Sequence, residues 1–159
     1  MHTYRLHREH EIPRPIEEVF AFFSDVRNLE RITPGWLNFR VLTPLPIEMR
    51  AGALIDYEIR WGPVPMRWRT EIVKWEPPVD FVDVQKRGPY KLWHHTHRFR
   101  ATDDGTNMTD SVDYALPFGP LGRVAHALRV RRDLEAIFDY RNEQIDQLLG
   151  VDRTADVPR

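Results

Sequence analysis

The chain has 159 residues, of which 42% are hydrophobic and 30% charged, and its formal net charge at pH 7 is −1. This length fits one domain with a sizeable core, and the near-neutral charge gives no electrostatic basis for binding nucleic acid or an anionic membrane surface. The absence of cysteine excludes disulfides, thiolate metal sites and a cysteine nucleophile. The sequence shows neither an apolar run of membrane-spanning length nor the apolar core of a secretory signal, so we expect a cytoplasmic domain without an integral membrane segment.

The first part of the chain mixes strand and helix signals. Alternating polarity predicts a strand over Tyr4–Ile12, and apolar residues at helical spacing after Pro15 predict a short helix. A second short helix is predicted at about Val26–Ile32. The period then changes to two, which predicts a strand from Leu37 to Val41, followed by a long proline-containing loop.

The middle of the chain reads as strands joined by short turns, which is typical of an antiparallel meander. The predicted strands are Leu54–Trp61, a strand containing Met66–Ile72, Val79–Arg87, a strand around Trp93–Phe99, and Thr106–Leu116. The apolar pattern of residues 121 to about 149 then predicts one long helix. Its apolar stripe is formed by Leu121, Val124, Leu128, Leu134, Phe138, Ile145 and Leu149.

This order of elements predicts a single α+β domain over residues 1–150, with residues 151–159 as a flexible tail. A curved antiparallel sheet of about seven strands would wrap around the C-terminal helix, which is the only element long enough to cover its apolar face. A strongly curved sheet of this kind tends to leave a cavity beside the helix. The cavity is therefore the expected place for a functional site.

The most informative segment is the strand Trp93–Phe99. Alternation puts His95 and His97 on the same face as two aromatic residues, and the following hairpin brings Asp110 opposite His97. Two histidines and a carboxylate could bind a metal ion, or they could form a cross-strand hydrogen bond in a mixed core. A His–Asp pair could also act as an acid–base pair on a bound substrate.

The chain resembles the START-like superfamily, also called SRPBCC, which has the helix-grip fold. Pro15–Asp25 is similar to the first-helix signature of that superfamily, and Trp75-Glu76-Pro77-Pro78 is similar to its mid-sheet turn. The spacing Trp93-x-His95-x-His97-x-Phe99 resembles the bacterial polyketide cyclase/dehydrase branch. The resemblance implies a carrier, an enzyme or a sensor on this fold, and it implies no metal. We also expect no cofactor.

We expect this domain to bind a small hydrophobic or amphipathic ligand, such as a lipid, a quinone or a polyketide-like molecule, between the sheet and the C-terminal helix. The candidate ligand-binding residues are Tyr57, Trp68, Gln85, Trp93, His95, His97, Asp110, Tyr114 and Arg131. One alternative is a cyclase/dehydrase-type enzyme that uses His97 and Asp110 as an acid–base pair. Another is an interaction module with an exposed apolar patch and a closed interior.

Three features stay open at this level. Arg131 lies near the middle of the predicted helix stripe and Arg141 nearer its edge, and either could bind an acidic ligand group or pair with a carboxylate. Asp83 and Gln85 face outward if the turn at Gly88 has two residues and inward if it has three. The oligomeric state is undetermined, with a homodimer as one option.

Overall fold

The computed structural model describes residues 1–150. Its seven strands are β1 (Tyr4–Ile12), β2 (Arg40–Val41), β3 (Leu54–Trp61), β4 (Val64–Glu76), β5 (Asp80–Arg87), β6 (Leu92–Thr102) and β7 (Gly105–Ala115). They form one antiparallel sheet in the order β1-β7-β6-β5-β4-β3-β2, so β3 to β7 are a meander and β1 closes the far edge beside β7. The predicted α+β helix-grip architecture is confirmed. The predicted tail, residues 151–159, lies outside the described residues.

The helices cover one face of this sheet. Two short helices, α1 (Ile16–Ser24) and α2 (Val26–Arg31), follow β1, and a short 3₁₀ helix, Gly35–Leu37, follows α2. The long C-terminal helix consists of α3 (Gly119–Ala125), a π-helical turn (His126–Val130) and α4 (Arg131–Leu149). Within the described part of the chain, no helix is long and apolar enough to cross a membrane.

The core has two main parts along the long helix. Near the start of α4, Leu134 and Phe138 pack with Trp68 and Tyr114 of the sheet. Towards the end of α4, Ile145 joins a second cluster formed with α1 and with the β6–β7 hairpin. Close packing against both clusters removes most of the apolar surface of α4 from water, and this burial fixes the helix on the sheet.

The prediction of a strand over Leu37–Val41 is wrong in extent. Leu37 ends the 3₁₀ helix, and Asn38 has a left-handed backbone conformation that interrupts an extended chain. Only Arg40 and Val41 pair with β3. The alternation of Leu37, Phe39 and Val41 is therefore produced partly by a helical turn.

The predicted apolar stripe is also wrong at the start of the long helix. Leu121, Val124 and Leu128 are exposed, with Leu121 and Leu128 about three-quarters accessible. Gly122 and His126 face the protein instead, because a side chain at position 122 would overlap the backbone at Pro117 and because His126 Nε2 hydrogen-bonds the buried Tyr114 hydroxyl at 2.8 Å.

Candidate functional site

A cavity of about 140 Å³ lies between the inner face of the sheet and helices α1 and α2. Its sheet wall includes Ile55, Tyr57, Trp68, Thr70, Ile72, Phe81 and Trp93. Its helix wall includes Phe22, Phe23, Val26, Leu29 and Ile32. Several lining residues of α1 and α2 are partly exposed, among them Phe22, Phe23 and Leu29. The lining is mostly apolar, as expected of a site for small molecules.

The sequence predicted a cavity along the long helix. In the structure the cavity lies beside α1 and α2 instead. Of the described residues in α4, Arg141 alone contributes to the lining. The reason is that Leu134, Phe138 and Ile145 pack directly on the sheet and leave no space there. The cavity remains where the shorter helices cover the sheet.

Four side chains at the sheet wall form a hydrogen-bonded group that we call the His–Asp cluster: Asp83, His95, His97 and Asp110. His95 Nε2 lies 2.7 Å from Asp110 Oδ1, and His97 Nε2 lies 2.7 Å from Asp83 Oδ2. The two imidazole rings lie against each other with centroids 3.7 Å apart. His97 Nδ1 is 3.1 Å from Asp110 Oδ1, but the contact lies outside hydrogen-bonding geometry.

Strand register brings the cluster together. Asp83 of β5 lies opposite His95 of β6, and His97 of β6 lies opposite Asp110 of β7. Because residues two apart share a face, the two histidines sit side by side between the two carboxylates. The predicted alignment of His97 with Asp110 is confirmed, but Asp110 accepts its shortest hydrogen bond from His95. The open register question is answered for Asp83, which faces inward.

Burial and pairing set the protonation states of the cluster. Burial raises the pKa of Asp110, but the hydrogen bond from His95 and the nearby imidazoles hold that pKa well below its usual range. The pKa of Asp83 is likewise lowered by His97 against the effect of burial. Burial opposes protonation of His97, but Asp110 and Asp83 together raise its pKa. Burial and the neighbouring His97 lower the pKa of His95.

Arg141 is a second positive group beside the cluster. Its Nη1 lies 3.9 Å from Asp110 Oδ2, and its guanidinium carbon lies 4.6 Å from the centre of the Phe138 ring. The pKa directions favour two carboxylates, a protonated His97 and a neutral His95. The charges of Arg141 and His97 then balance those of Asp83 and Asp110, as buried charges require.

Within residues 1–150, three buried polar atoms of the cavity lining lack a hydrogen-bond partner: Trp68 Nε1, Arg141 Nε and His97 Nδ1. Trp68 Nε1 and Arg141 Nε are both buried and make no hydrogen bond with any other residue between 1 and 150. Buried polar groups are nearly always satisfied, so each such donor calls for an acceptor. The space next to both residues is the cavity.

The cluster also has the donor types of a metal site. Ligand atoms of Asp83, His95 and His97 all lie within 4.8 Å of one another. The sequence suggested His95, His97 and Asp110 as possible metal ligands, whereas the structure groups the two histidines with Asp83. Each carboxylate already accepts a 2.7 Å hydrogen bond from an imidazole, which is the cross-strand pairing considered as the alternative to a metal site.

Five of the nine candidate residues line the cavity: Tyr57, Trp68, Trp93, His95 and His97. Asp110 lies behind the histidines. Gln85 lies outside the cavity, because its side chain donates to the Tyr90 carbonyl at 2.7 Å and so fixes the β5–β6 connection. Tyr114 lies outside it as well, because its hydroxyl pairs with His126 under the start of the long helix.

Arg131 is not directed towards the interior, which corrects the expectation of a helix-side ligand contact. It is exposed, and its Nε donates to Glu135 Oε1 at 3.1 Å across one turn of α4. The π-helical turn just before it changes the phase of the helix, so that Val130 and Leu134 take the inward positions. Arg141 is the arginine that faces the cavity.

Sequence reasoning did not identify several lining residues, among them Thr70 and the apolar residues of α1 and α2. Arg141 was considered only as an edge residue. Its spacing three residues after Phe138 and four before Ile145 is the signal that could have placed it inward. The interaction-module alternative predicted a closed interior, whereas the interior contains a cavity.

The seven-stranded sheet covered by one long and two short helices, with a cavity beneath the short ones, defines a helix-grip protein with an internal ligand-sized space. Known structures share this fold. TTHA0849 from Thermus thermophilus superposes with a TM-score of 0.66 at 18% identity, covering 90% of this chain and 96% of that one. CV1439 from Chromobacterium violaceum superposes with a TM-score of 0.67 at 17% identity, and the match covers 94% of this chain and 99% of that one.

A nucleoside-diphosphate sugar epimerase from Corynebacterium glutamicum gives a TM-score of 0.66 at 24% identity, covering 89% of this chain but 28% of that longer one. At these identities the similarity shows the fold. Residues 12–137 match the family described as "Polyketide cyclase / dehydrase and lipid transport", so the protein belongs to this family and the resemblance to the START-like superfamily is confirmed. No match was found among curated proteins.

Proposed function

We propose that the protein binds a small hydrophobic or amphipathic molecule, such as a lipid, a quinone or a polyketide-like compound, in the cavity beneath α1 and α2. One observation carries the proposal: a mostly apolar cavity whose wall includes the buried His–Asp cluster. Apolar walls supply affinity, and a few fixed polar groups orient the ligand. Membership of a family described by polyketide chemistry and lipid transport supports the same function.

The size of the cavity indicates how much of a ligand it holds. An engineered cavity of about 150 Å³ in another protein binds benzene, and the cavity here measures about 140 Å³. One aromatic ring or an equivalent apolar group therefore fits inside. The remainder of a larger ligand would extend between the partly exposed side chains of α1 and α2.

Native mass spectrometry of freshly purified protein, combined with titration of an apolar fluorophore, tests this proposal. Val26 lines the cavity and is 8% exposed, so Val26→Phe should fill the space and weaken fluorophore binding about tenfold or more. Val73→Phe is the matched control, because Val73 is 44% exposed outside the lining. Equal binding by wild type and Val26→Phe, with no co-purified ligand, would contradict the proposal.

Acid–base catalysis is the second candidate function, and the divergent environments of His95 and His97 favour it. Their pKa values move in opposite directions although the rings are in contact, and this separation is typical of groups that act as base and acid. His95 is the candidate base, because its neutral form is favoured and it lines the cavity. The pairing with Asp110 would orient its ring.

Exchange of the methyl protons of acetophenone in D₂O tests this second function. A base takes a proton from the carbon next to the carbonyl, and a deuteron from the solvent returns to it, so the methyl signal disappears from the proton spectrum. Protein-dependent loss that is absent in His95→Gln and retained in the outward-facing control His94→Gln would support catalysis. Exchange no faster than in buffer would leave ligand binding as the function.

A further inference from the structure

We propose that the cavity selects a ligand that presents a neutral hydrogen-bond acceptor, such as a ketone or quinone carbonyl oxygen, to Arg141 and Trp68, and that it discriminates against ionised acids. This inference rests on the proposed binding function and specifies the ligand class. It depends on the unpartnered donors of the lining and on the charge balance of the buried groups around them.

Two of the unpartnered atoms of the lining belong to groups that can only donate. Trp68 Nε1 can only donate, and so can the Nε–H of Arg141. Both atoms are buried without an acceptor among residues 1–150, while both side chains border the cavity. A ligand oxygen that accepts these bonds would remove the cost of leaving two buried donors unsatisfied.

Some polar groups of the same wall are already paired. The Tyr57 hydroxyl lies 3.1 Å from Thr70 Oγ1, and the Asp83 carboxylate accepts from His97 at 2.7 Å. A ligand that offers only donors would leave Trp68 Nε1 and Arg141 Nε without an acceptor. The wall therefore favours an acceptor over a donor at the buried end of the ligand.

The charge of the surroundings distinguishes a carbonyl from a carboxylate. Even when His97 is protonated, its charge and that of Arg141 only match the two carboxylates of Asp83 and Asp110, so these four groups carry no net positive charge. A carboxylate in the cavity would add an uncompensated negative charge in a weakly solvated space, next to two carboxylates. A neutral carbonyl adds no charge and still accepts from both donors.

Isothermal titration with three single-ring compounds of similar size tests the inference: acetophenone, ethylbenzene and benzoate. We expect acetophenone to bind about tenfold or more tightly than ethylbenzene, because a hydrogen bond to a charged buried donor is among the stronger ones. Benzoate should bind at least about tenfold more weakly than acetophenone. The measurement is made on the full-length protein at pH 7.

Two variants assign the selectivity to the proposed donors. Trp68→Phe removes the indole N–H and keeps an aromatic wall, and Arg141→Lys keeps the charge and removes the Nε–H. Each should lower the acetophenone-to-ethylbenzene affinity ratio about three- to tenfold, with little change for ethylbenzene. Trp36→Phe, at a half-exposed tryptophan outside the cavity, should leave the ratio unchanged.

The outcomes separate this inference from the proposed function. Equal affinities for acetophenone and ethylbenzene, or tightest binding of benzoate, would overturn the carbonyl selectivity while leaving ligand binding in place. An unchanged affinity ratio in both donor variants would also overturn it. If none of the three compounds binds at millimolar concentration, the proposed function fails together with the inference.

Discussion

Replacing Asp110 by Asn tests whether the His–Asp cluster is a charge-balanced ionic group. The substitution keeps the shape of the side chain and one acceptor oxygen, so the hydrogen bond from His95 can persist. It removes a buried negative charge and leaves Asp83 as the one carboxylate of the His–Asp cluster beside His97 and Arg141. Removal of one partner from a buried ion pair typically costs about 3–5 kcal/mol.

Because Asn retains one hydrogen bond, we expect a loss at the lower end of that range, about 3 kcal/mol. For a chain of this length, this corresponds to a decrease in Tm of roughly 6–12 °C. Urea unfolding at pH 7, followed by tryptophan fluorescence, measures the free energy of unfolding, and calorimetry measures Tm. The pKa of His97 should also fall, since Asp110 helps to raise it.

Asp113→Asn is the matched control on the same strand. Asp113 accepts two hydrogen bonds from Arg5, at 2.6 and 2.9 Å, but its side chain is 32% exposed and that of Arg5 is 69% exposed. Exposed ion pairs contribute about 0–1 kcal/mol, so the control should unfold nearly as wild type does. A loss below about 1 kcal/mol for Asp110→Asn, or an equal loss for both variants, would refute the charge-balance argument.

The remaining predictions concern pH and the long helix. Because folding raises the pKa of His97, the stability that His97 contributes is complete below its unfolded pKa of about 6.5 and is lost as pH rises through its folded pKa. Because folding lowers the pKa of His95, the protein loses stability as pH falls below the unfolded pKa of about 6.5. Urea unfolding from pH 5 to 9 should therefore show a maximum near pH 6.5, and His97→Gln should remove the decline on the alkaline side; a decline that persists unchanged would contradict the assignment. In the long helix, Leu121→Ser and Leu128→Ser should change stability by less than about 0.5 kcal/mol, while Leu134→Ala should cost about 2–5 kcal/mol by the same assay. Large losses for the two serine variants would mean that these leucines are packed.

The sequence predicted the hairpins well because their turns and alternation are local. The same locality explains the correct pairing of His97 with Asp110, which follows from the short turn at Gly105. The position of Asp83 was not determined, since one residue more or less in the turn at Gly88 reverses the face. The local sequence pattern therefore did not determine the register between β5 and β6.

The long helix shows a different limit. Its leucines follow a helical period, but the π-helical turn and the Tyr114–His126 hydrogen bond select another face. These depend on contacts between distant parts of the chain. The same change of phase placed Arg131 at the surface, whereas Arg141 follows the helical period of its neighbours Phe138 and Ile145 within α4.

The indole N–H signals of the five tryptophans give the most direct test of a ligand site beneath α1 and α2. In a ¹H–¹⁵N spectrum recorded during titration with acetophenone, the signals of Trp68 and Trp93, which line the cavity, should shift with a saturable dependence on ligand. The signal of Trp36, half-exposed at the surface, should stay in place. Movement of Trp36 without Trp68 and Trp93, or no movement up to the solubility limit, would contradict binding in this cavity.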